Sequence, residues 1–409
     1  MDKTIDLGHA ISASIQLWNR NRLNLSYVPS FTTGDKLEGV ISLVPQSDIR
    51  FDDIQISFIG DQSTHVRYAH PTKACHQFQN ITHKVLDSAL PDPRVLKKGQ
   101  KVGFSFCFDV SDYLPPSSCQ HSATSQLVKA AHLQLPPSFG DATVSGLGGK
   151  LKNDFAPIAC KIIYSVQIRI NRMSLVCDKQ ETIFVRKFKV RVKPALEEQP
   201  PLNLDKFGDE FCLQQEKPVN EGRSKSPQGM LAVTLEQPKA FLLPLRDPYG
   251  TVSRAIRLFL RYTPTDSSNV TLPNLKSLRG QMTGTTLFTT TFHDDIPTKK
   301  KDLLGRPLNF EDTVFPSFTL NIPTPQWSQD NTGCYTATLL VPLWLPPENF
   351  IITFHSCLMS RMYTIHFRLA VSNTATFSLR APVDIVAERD SLVLPSYNAS
   401  VGAVGDVWA

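Results

Sequence analysis

The sequence predicts an all-β protein built from two tandem β-sandwiches, followed by a short disordered C-terminal tail. Three observations support this fold class. Apolar and polar side chains alternate along most apolar segments, and no segment keeps the 3.6-residue spacing of a long helix. The chain also holds 30 prolines in 409 residues, which favours loops and edge strands, and it is too long for a single ordinary core.

The first half of the chain contains four segments with this alternation. They are Ile54–Phe58, Val102–Phe108, Ile162–Ile170 and Phe184–Val192. In the third segment the apolar side chains from Ile162 to Ile170 alternate with Lys161, Ser165, Gln167 and Arg169, so we expect one buried face and one solvated face. A turn-forming corner over residues 133–141, centred on Pro136-Pro137-Ser138-Phe139, and a Gly-rich spacer over residues 142–153 precede that segment.

Alternation resumes in the second half, after a break rich in proline, charge and serine. The segments are Ile256–Tyr262, Tyr335–Val341, Tyr363–Leu369 and Phe377–Ile385. The break indicates a linker or a long excursion between strands. We therefore expect domains at residues 1–196 and 229–386, with a linker at 197–228 and a flexible tail at 387–409.

Composition narrows the class of function. The formal net charge of +6 is spread along the chain, which permits contact with an anionic membrane surface but does not predict nucleic-acid binding. The eight cysteines show no paired spacing, and residues 1–6 lack the features of a signal peptide. These features predict free thiols and a cytoplasmic protein.

Several motifs, taken in order, resemble those of arrestin-like proteins of the fungal α-arrestin type. Gly34–Ile41 is similar to the early turn and strand of the arrestin N-terminal domain, Phe51–Gly60 to the next strand, and Tyr113–Cys119 to the proline-rich corner that follows. Phe354–Thr364 and Phe377–Val383 resemble the closing strands of the C-terminal domain. The resemblance covers most of residues 10–386. It implies two immunoglobulin-like β-sandwiches of the arrestin fold.

The resemblance also implies a role. It predicts a non-enzymatic trafficking adaptor that links a membrane transporter or receptor to a WW-domain HECT ubiquitin ligase, for ubiquitination and endocytosis. Such an adaptor would be recruited from the cytoplasm to the plasma membrane or to endosomes. Two other functions remain open: a sorting or coat scaffold of the arrestin fold without a ligase link, and a hydrolase or carbohydrate-active β-sandwich.

A short motif in the tail fits ligase recruitment. Leu394, Pro395 and Tyr397 match the L-P-x-Y form of the PY motif, in which a WW domain clasps the proline and tyrosine rings. The similar corner Pro136–Phe139 has phenylalanine in place of tyrosine, and we interpret it as structural.

A basic stripe is the second candidate binding site. Lys187, Lys189, Arg191 and Lys193 lie on one face of a predicted strand and could hold phosphorylated peptide tails or lipid phosphates. The alternative is a solvated outer face, because lysine also protects edge strands from aggregation.

No cofactor, metal or catalytic group is predicted. The residues His65, His70, Cys75, His76 and His83 match no zinc-site spacing, and Ser145–Lys150 departs from the Walker pattern of a phosphate loop. Ser224 and Ser226 in the linker are candidate phosphorylation sites.

Overall fold

The chain is nearly all β in the computed structural model, which describes residues 10–18, 30–66, 72–141, 143, 154–174, 179–195, 210–220, 227–243, 252–266, 270–299, 308–320, 322, 324–345, 350–371 and 375–387. Within these ranges the one α-helix, α1 (Gln126–Leu133), has eight residues. The predicted all-β class is confirmed, and over the described residues so is the expectation that any helix is short.

Two compact units make up the described residues. Unit 1 contains those up to Ala195 together with Ser356–Leu358, and unit 2 contains those of Leu196–His355 and Met359–Glu388. The short segment Ser356–Leu358 therefore belongs to unit 1 although it lies late in the sequence.

Unit 1 is built from two sheets and a small additional pair of strands. Its strands are β1 (Ile11–Leu17), β2 (Ser30–Phe31), β3 (Lys36–Pro45), β4 (Ile49–Arg50), β5 (Asp53–Val66), β6 (Thr72–Lys84), β7 (Val95–Leu96), β8 (Val102–Asp109), β9 (Cys160–Met173) and β10 (Gln180–Val192). One sheet has the order β1-β3-β8, the other has the order β2-β10-β9-β5-β6, and β4 pairs with β7. Neighbouring strands are antiparallel except β2 and β10, which are parallel.

Unit 2 has a comparable set of sheets. Its strands are β11 (Gln214–Val219), β12 (Gly229–Leu235), β13 (Phe241–Leu243), β14 (Val252–Pro264), β15 (Leu275–Thr289), β16 (Leu308–Val314), β17 (Phe318–Leu320), β18 (Ser328–Gln329), β19 (Tyr335–Leu345), β20 (Phe354–His355), β21 (Met359–Val371), β22 (Ala375–Val383) and β23 (Ile385–Ala387). One sheet has the order β11-β12-β14-β19-β18, and β16-β15-β21-β20 forms another, in which β22 pairs with β21. The first strand, β11, lies inside the segment predicted as a linker.

The two units repeat one strand order. The antiparallel set β1-β3-β8 of unit 1 corresponds to β12-β14-β19 of unit 2, and the set β9-β5-β6 corresponds to β21-β15-β16. In each unit, a short strand comes between the first two strands of the antiparallel set in sequence. It pairs in parallel with the last strand of the unit. This strand is β2 in unit 1, on β10, and β13 in unit 2, on β23.

The alternation predicted from the sequence produces the core. Along β8 the side chains of Phe104, Phe106 and Phe108 are buried and the residues between them are exposed. Along β19 every second residue from Ala337 to Leu345 is buried. One buried face per strand is the arrangement that such alternation favours in antiparallel sheets.

Strand β9 departs from the prediction of a solvated face. Its apolar side is buried as expected, and Lys161 and Arg169 on the other side are exposed, but Ser165 and Gln167 between them are buried as well. These two residues have paired strands on both sides, with Lys189 and Lys187 of β10 directly opposite them on one side. Long lysine stems can cover a polar surface while their charged ends remain in water.

The corner Pro136–Phe139 is fixed by hydrogen bonds on both sides. Ser138 donates its backbone N–H to the carbonyl of Val192 and its hydroxyl accepts from the Val192 N–H. The buried Tyr164 hydroxyl donates to the carbonyl of Pro136 over 2.6 Å. The corner therefore closes onto the ends of β9 and β10, in agreement with its structural interpretation.

Candidate functional site: a basic strand and a cysteine–histidine cluster

The last strand of unit 1 carries the four predicted basic residues on one face. Along β10 and the residue after it, Lys187 and Lys189 are exposed, whereas Arg191 and Lys193 are half-buried. The intervening Val190 and Val192 are buried in the core. The alternation thus places all four cations on the side away from the core, as the sequence predicts.

The two exposed lysines are engaged within the unit. The Lys187 Nζ atom lies 3.0 Å from the Asp61 carboxylate, and the Lys189 Nζ atom lies 2.6 Å from that of Asp141. Burial of Asp141 opposes its charged form, but hydrogen bonds from Lys189 and Thr143 outweigh this effect and lower the pKa of Asp141. These ion pairs neutralise most of the positive charge of Lys187 and Lys189.

The C-terminal end of β10, at Arg191 and Lys193, is here called the inner end of the strand. It has a surplus of positive charge. Burial lowers the pKa of Arg191 to about 10, although nearby Asp154 favours the charged guanidinium. Burial and repulsion by Arg191 lower the pKa of Lys193 to about 7. In the part of the chain that the structure describes, Lys193 has no carboxylate partner, so an anion bound here would relieve the repulsion between the two cations.

The predicted tail motif lies outside the described residues. This applies to Leu394, Pro395 and Tyr397, and also to the candidate phosphorylation sites Ser224 and Ser226. No helix in the described ranges has both the length and the apolarity needed to span a membrane.

The His-rich segment is spread over two paired strands. His65 lies on β5, while Cys75, His76 and His83 lie along β6, and His70 is outside the described residues. The His76 Nδ1 atom instead contacts the Gln62 amide nitrogen at 2.7 Å.

A different group of cysteines and histidines does come together in unit 1. Cys119, His121, His132 and Cys357 each offer a sulfur or ring nitrogen, and these four atoms lie within 4.8 Å of one another. Cys119, His132 and Cys357 are buried, and His121 is partly buried. The cysteines are free thiols. Burial, followed by the proximity of Cys119, raises the pKa of the Cys357 thiol.

Local structure explains the positions of Cys119 and His132. Cys119 follows the short 3-10 turn Pro116–Ser118, and His132 lies in the last turn of α1. The hydroxyl of Ser125 caps the start of α1 by accepting the Val128 N–H at 3.3 Å. Turn and helix thus bring Cys119 and His132 to the same place.

Sequence spacing carries only a weak signal for this cluster. Cys119 and His121 are two residues apart and His132 follows on a short helix, but Cys357 lies in a distant segment. Tertiary structure alone brings that fourth side chain to the other three.

No protein-family model matches the chain, and a comparison with curated proteins also finds no match.

Proposed function

We propose that this protein is a cytoplasmic, non-enzymatic adaptor of the arrestin-related type. Its two β-rich units would form tandem immunoglobulin-like sandwiches that bind the tail of a membrane transporter or receptor. Its C-terminal motif would recruit a WW-domain HECT ubiquitin ligase, so that the bound cargo is ubiquitinated and endocytosed. The adaptor would act by proximity, because binding both partners raises the effective concentration of ligase near its substrate.

The repeated strand order is the observation that supports the proposal most strongly. Two successive units that share these two sets of strands, each with a short strand parallel to its last strand, are what a tandem pair of arrestin-type domains would have. A repeat of this kind favours a binding scaffold, since function on such β-sandwiches resides in surfaces and loops.

The inner end of the basic strand supports binding of an acidic cargo tail. Arg191 and Lys193 are adjacent on one face, and only Arg191 has a nearby carboxylate, that of Asp154. A phosphate group placed between them would gain two charge-assisted contacts, which are stronger than neutral hydrogen bonds. A membrane phosphate would offer the same chemistry on a lipid headgroup.

Ligase recruitment is tested by a pull-down of the full chain with isolated WW domains. We expect Tyr397→Ala to abolish capture, because the tyrosine ring fills part of the WW groove. Ser396→Ala is the matched control, since it alters the variable position of the motif and should leave capture unchanged. Equal capture of the wild type and Tyr397→Ala would refute the ligase link and leave the sorting scaffold as the function.

Cargo binding is tested separately with phosphorylated and unphosphorylated acidic peptides and with vesicles containing phosphoinositides. We expect Arg191→Gln and Lys193→Gln each to weaken binding of the preferred phosphate source, while Lys101→Gln, at an exposed position of unit 1, has little effect. Binding that depends equally on all three positions would indicate nonspecific attraction to a basic protein and would contradict the site.

A further inference from the structure

The cysteine–histidine cluster of unit 1 has the donor atoms of a metal site. Two thiol sulfurs and two imidazole nitrogens are the ligand set that tetrahedral structural zinc prefers. All four residues belong to unit 1, since Cys357 lies in the segment Ser356–Leu358.

The distances within the cluster suit a tetrahedral ion. In a tetrahedral site with ordinary zinc–sulfur and zinc–nitrogen bonds, ligand atoms are about 3.3–3.8 Å apart. The Cys119 Sγ atom is 3.3 Å from the His121 Nε2 atom and 3.8 Å from the His132 Nδ1 atom. All four atoms lie within 4.8 Å of one another, so small side-chain rotations would close the set around an ion.

We propose that Cys119, His121, His132 and Cys357 form a structural zinc site. Binding of Zn²⁺ would displace the two thiol protons to solvent, and the two thiolates would neutralise the ion. A neutral assembly is well suited to a buried position, where an uncompensated charge is costly. Four protein ligands leave no open coordination position, which is the arrangement of structural rather than catalytic zinc.

A hydrogen bond to the backbone already orients one of the imidazoles for metal binding. The His121 Nδ1 atom lies 2.9 Å from the carbonyl oxygen of Ser122, so Nδ1 must carry the proton and donate it. This tautomer leaves Nε2 unprotonated, so its lone pair points toward Cys119 and can bind an ion. A backbone carbonyl that fixes the ring in this way is a common feature of metal-binding histidines.

Other contacts hold the backbone beside both cysteines. The Ser118 hydroxyl donates to the carbonyl of Phe78, next to Cys119. The Ser356 hydroxyl donates to the Gln62 side-chain oxygen at 2.7 Å, next to Cys357. Both residues of the second contact are buried. The ligands are therefore positioned by groups that do not themselves bind the ion, which lowers the cost of assembling the site.

The experiment measures metal bound to the full chain, expressed with zinc in the medium and purified under reducing conditions without chelator. Inductively coupled plasma mass spectrometry should find about one zinc ion per chain. Cys357→Ser and His132→Ala should each lose most of that zinc. Cys75→Ser is the matched control because Cys75 is an exposed thiol of the same unit, and it should retain the ion.

Cobalt substitution provides a second measurement that does not depend on the variants folding. Wild-type chain reconstituted with Co²⁺ should show a thiolate-to-cobalt charge-transfer band and the intense visible bands of a tetrahedral site. Wild type without zinc and without these bands would overturn the proposal, as would full zinc retention in Cys357→Ser. A disulfide between Cys119 and Cys357 in the reduced protein, found by peptide mapping, would also overturn it.

Discussion

Replacing Gly140 by alanine should destabilise unit 1 strongly, because the new residue would have both an unfavourable backbone conformation and a steric overlap. Gly140 has a φ of +69°, a conformation that costs an L-residue about 1–2 kcal/mol. A Cβ atom added there would overlap the backbone oxygen of Cys160, at the start of β9. Overpacking of this kind adds about 1–3 kcal/mol, so we expect a total loss of about 2–5 kcal/mol.

Gly99→Ala separates the two costs. Gly99 has nearly the same φ, +72°, but a Cβ atom there would have no neighbour within 4 Å. We therefore expect a loss of about 1–2 kcal/mol from the backbone conformation alone. Both residues belong to unit 1, so one measurement of that unit's stability compares them.

Native-state hydrogen exchange is the appropriate assay because it reports the stability of each unit separately. The amides to follow are those of Val166 and Ile168, two buried residues at the centre of β9. The free energy of opening should fall more in Gly140→Ala than in Gly99→Ala, and the amides of unit 2 should be unaffected. Equal losses in the two variants would refute the argument that the Cys160 carbonyl is rigidly placed.

Three further predictions concern single side chains. Tyr164→Phe removes the hydrogen bond to the Pro136 carbonyl and should lower the free energy of unfolding of unit 1 by about 1–3 kcal/mol in urea denaturation, with an unchanged fold by circular dichroism. Lys193 has its pKa lowered from 10.5 to about 7, so the unfolded chain binds more protons between these values. Wild-type stability should therefore rise relative to Lys193→Met as the pH increases above about 7, and a constant difference across that range would contradict this. Asp330 accepts hydrogen bonds from the hydroxyl and backbone of Thr332, and these lower its pKa below 3.8. The contribution of Asp330 to the free energy of unfolding should be present above pH 3.8 and lost as the pH falls through the folded-state pKa. The stabilities of wild type and Asp330→Ala, followed during acid titration, should therefore converge at low pH.

The strand pattern was predictable because it depends on residues close in sequence. Alternation along β8 and β19 specifies which side chains face the core, and the structure agrees. The burial of Ser165 and Gln167 was not predictable in the same way. It depends on the residues that the two neighbouring strands place opposite them, and thus on a register that no local pattern encodes.

The candidate sites also depend on contacts between residues far apart in sequence. Alternation placed Lys187, Lys189, Arg191 and Lys193 on one face, but it could not reveal that Asp61 and Asp141 neutralise the first two. The cysteine–histidine cluster was missed because its fourth member comes from a distant segment. Sequence spacing finds metal sites whose ligands lie in one or two short motifs, and this set does not.

The late position of Ser356–Leu358 in the sequence has a consequence for biosynthesis. Chains fold progressively as they leave the ribosome, usually beginning with the N-terminal domain. The strands of unit 1 are complete once Val192 has emerged, yet Cys357 joins that unit only after most of unit 2 has been translated. A nascent chain paused before this point, or a fragment expressed to Ala195, would carry three of the four clustered side chains.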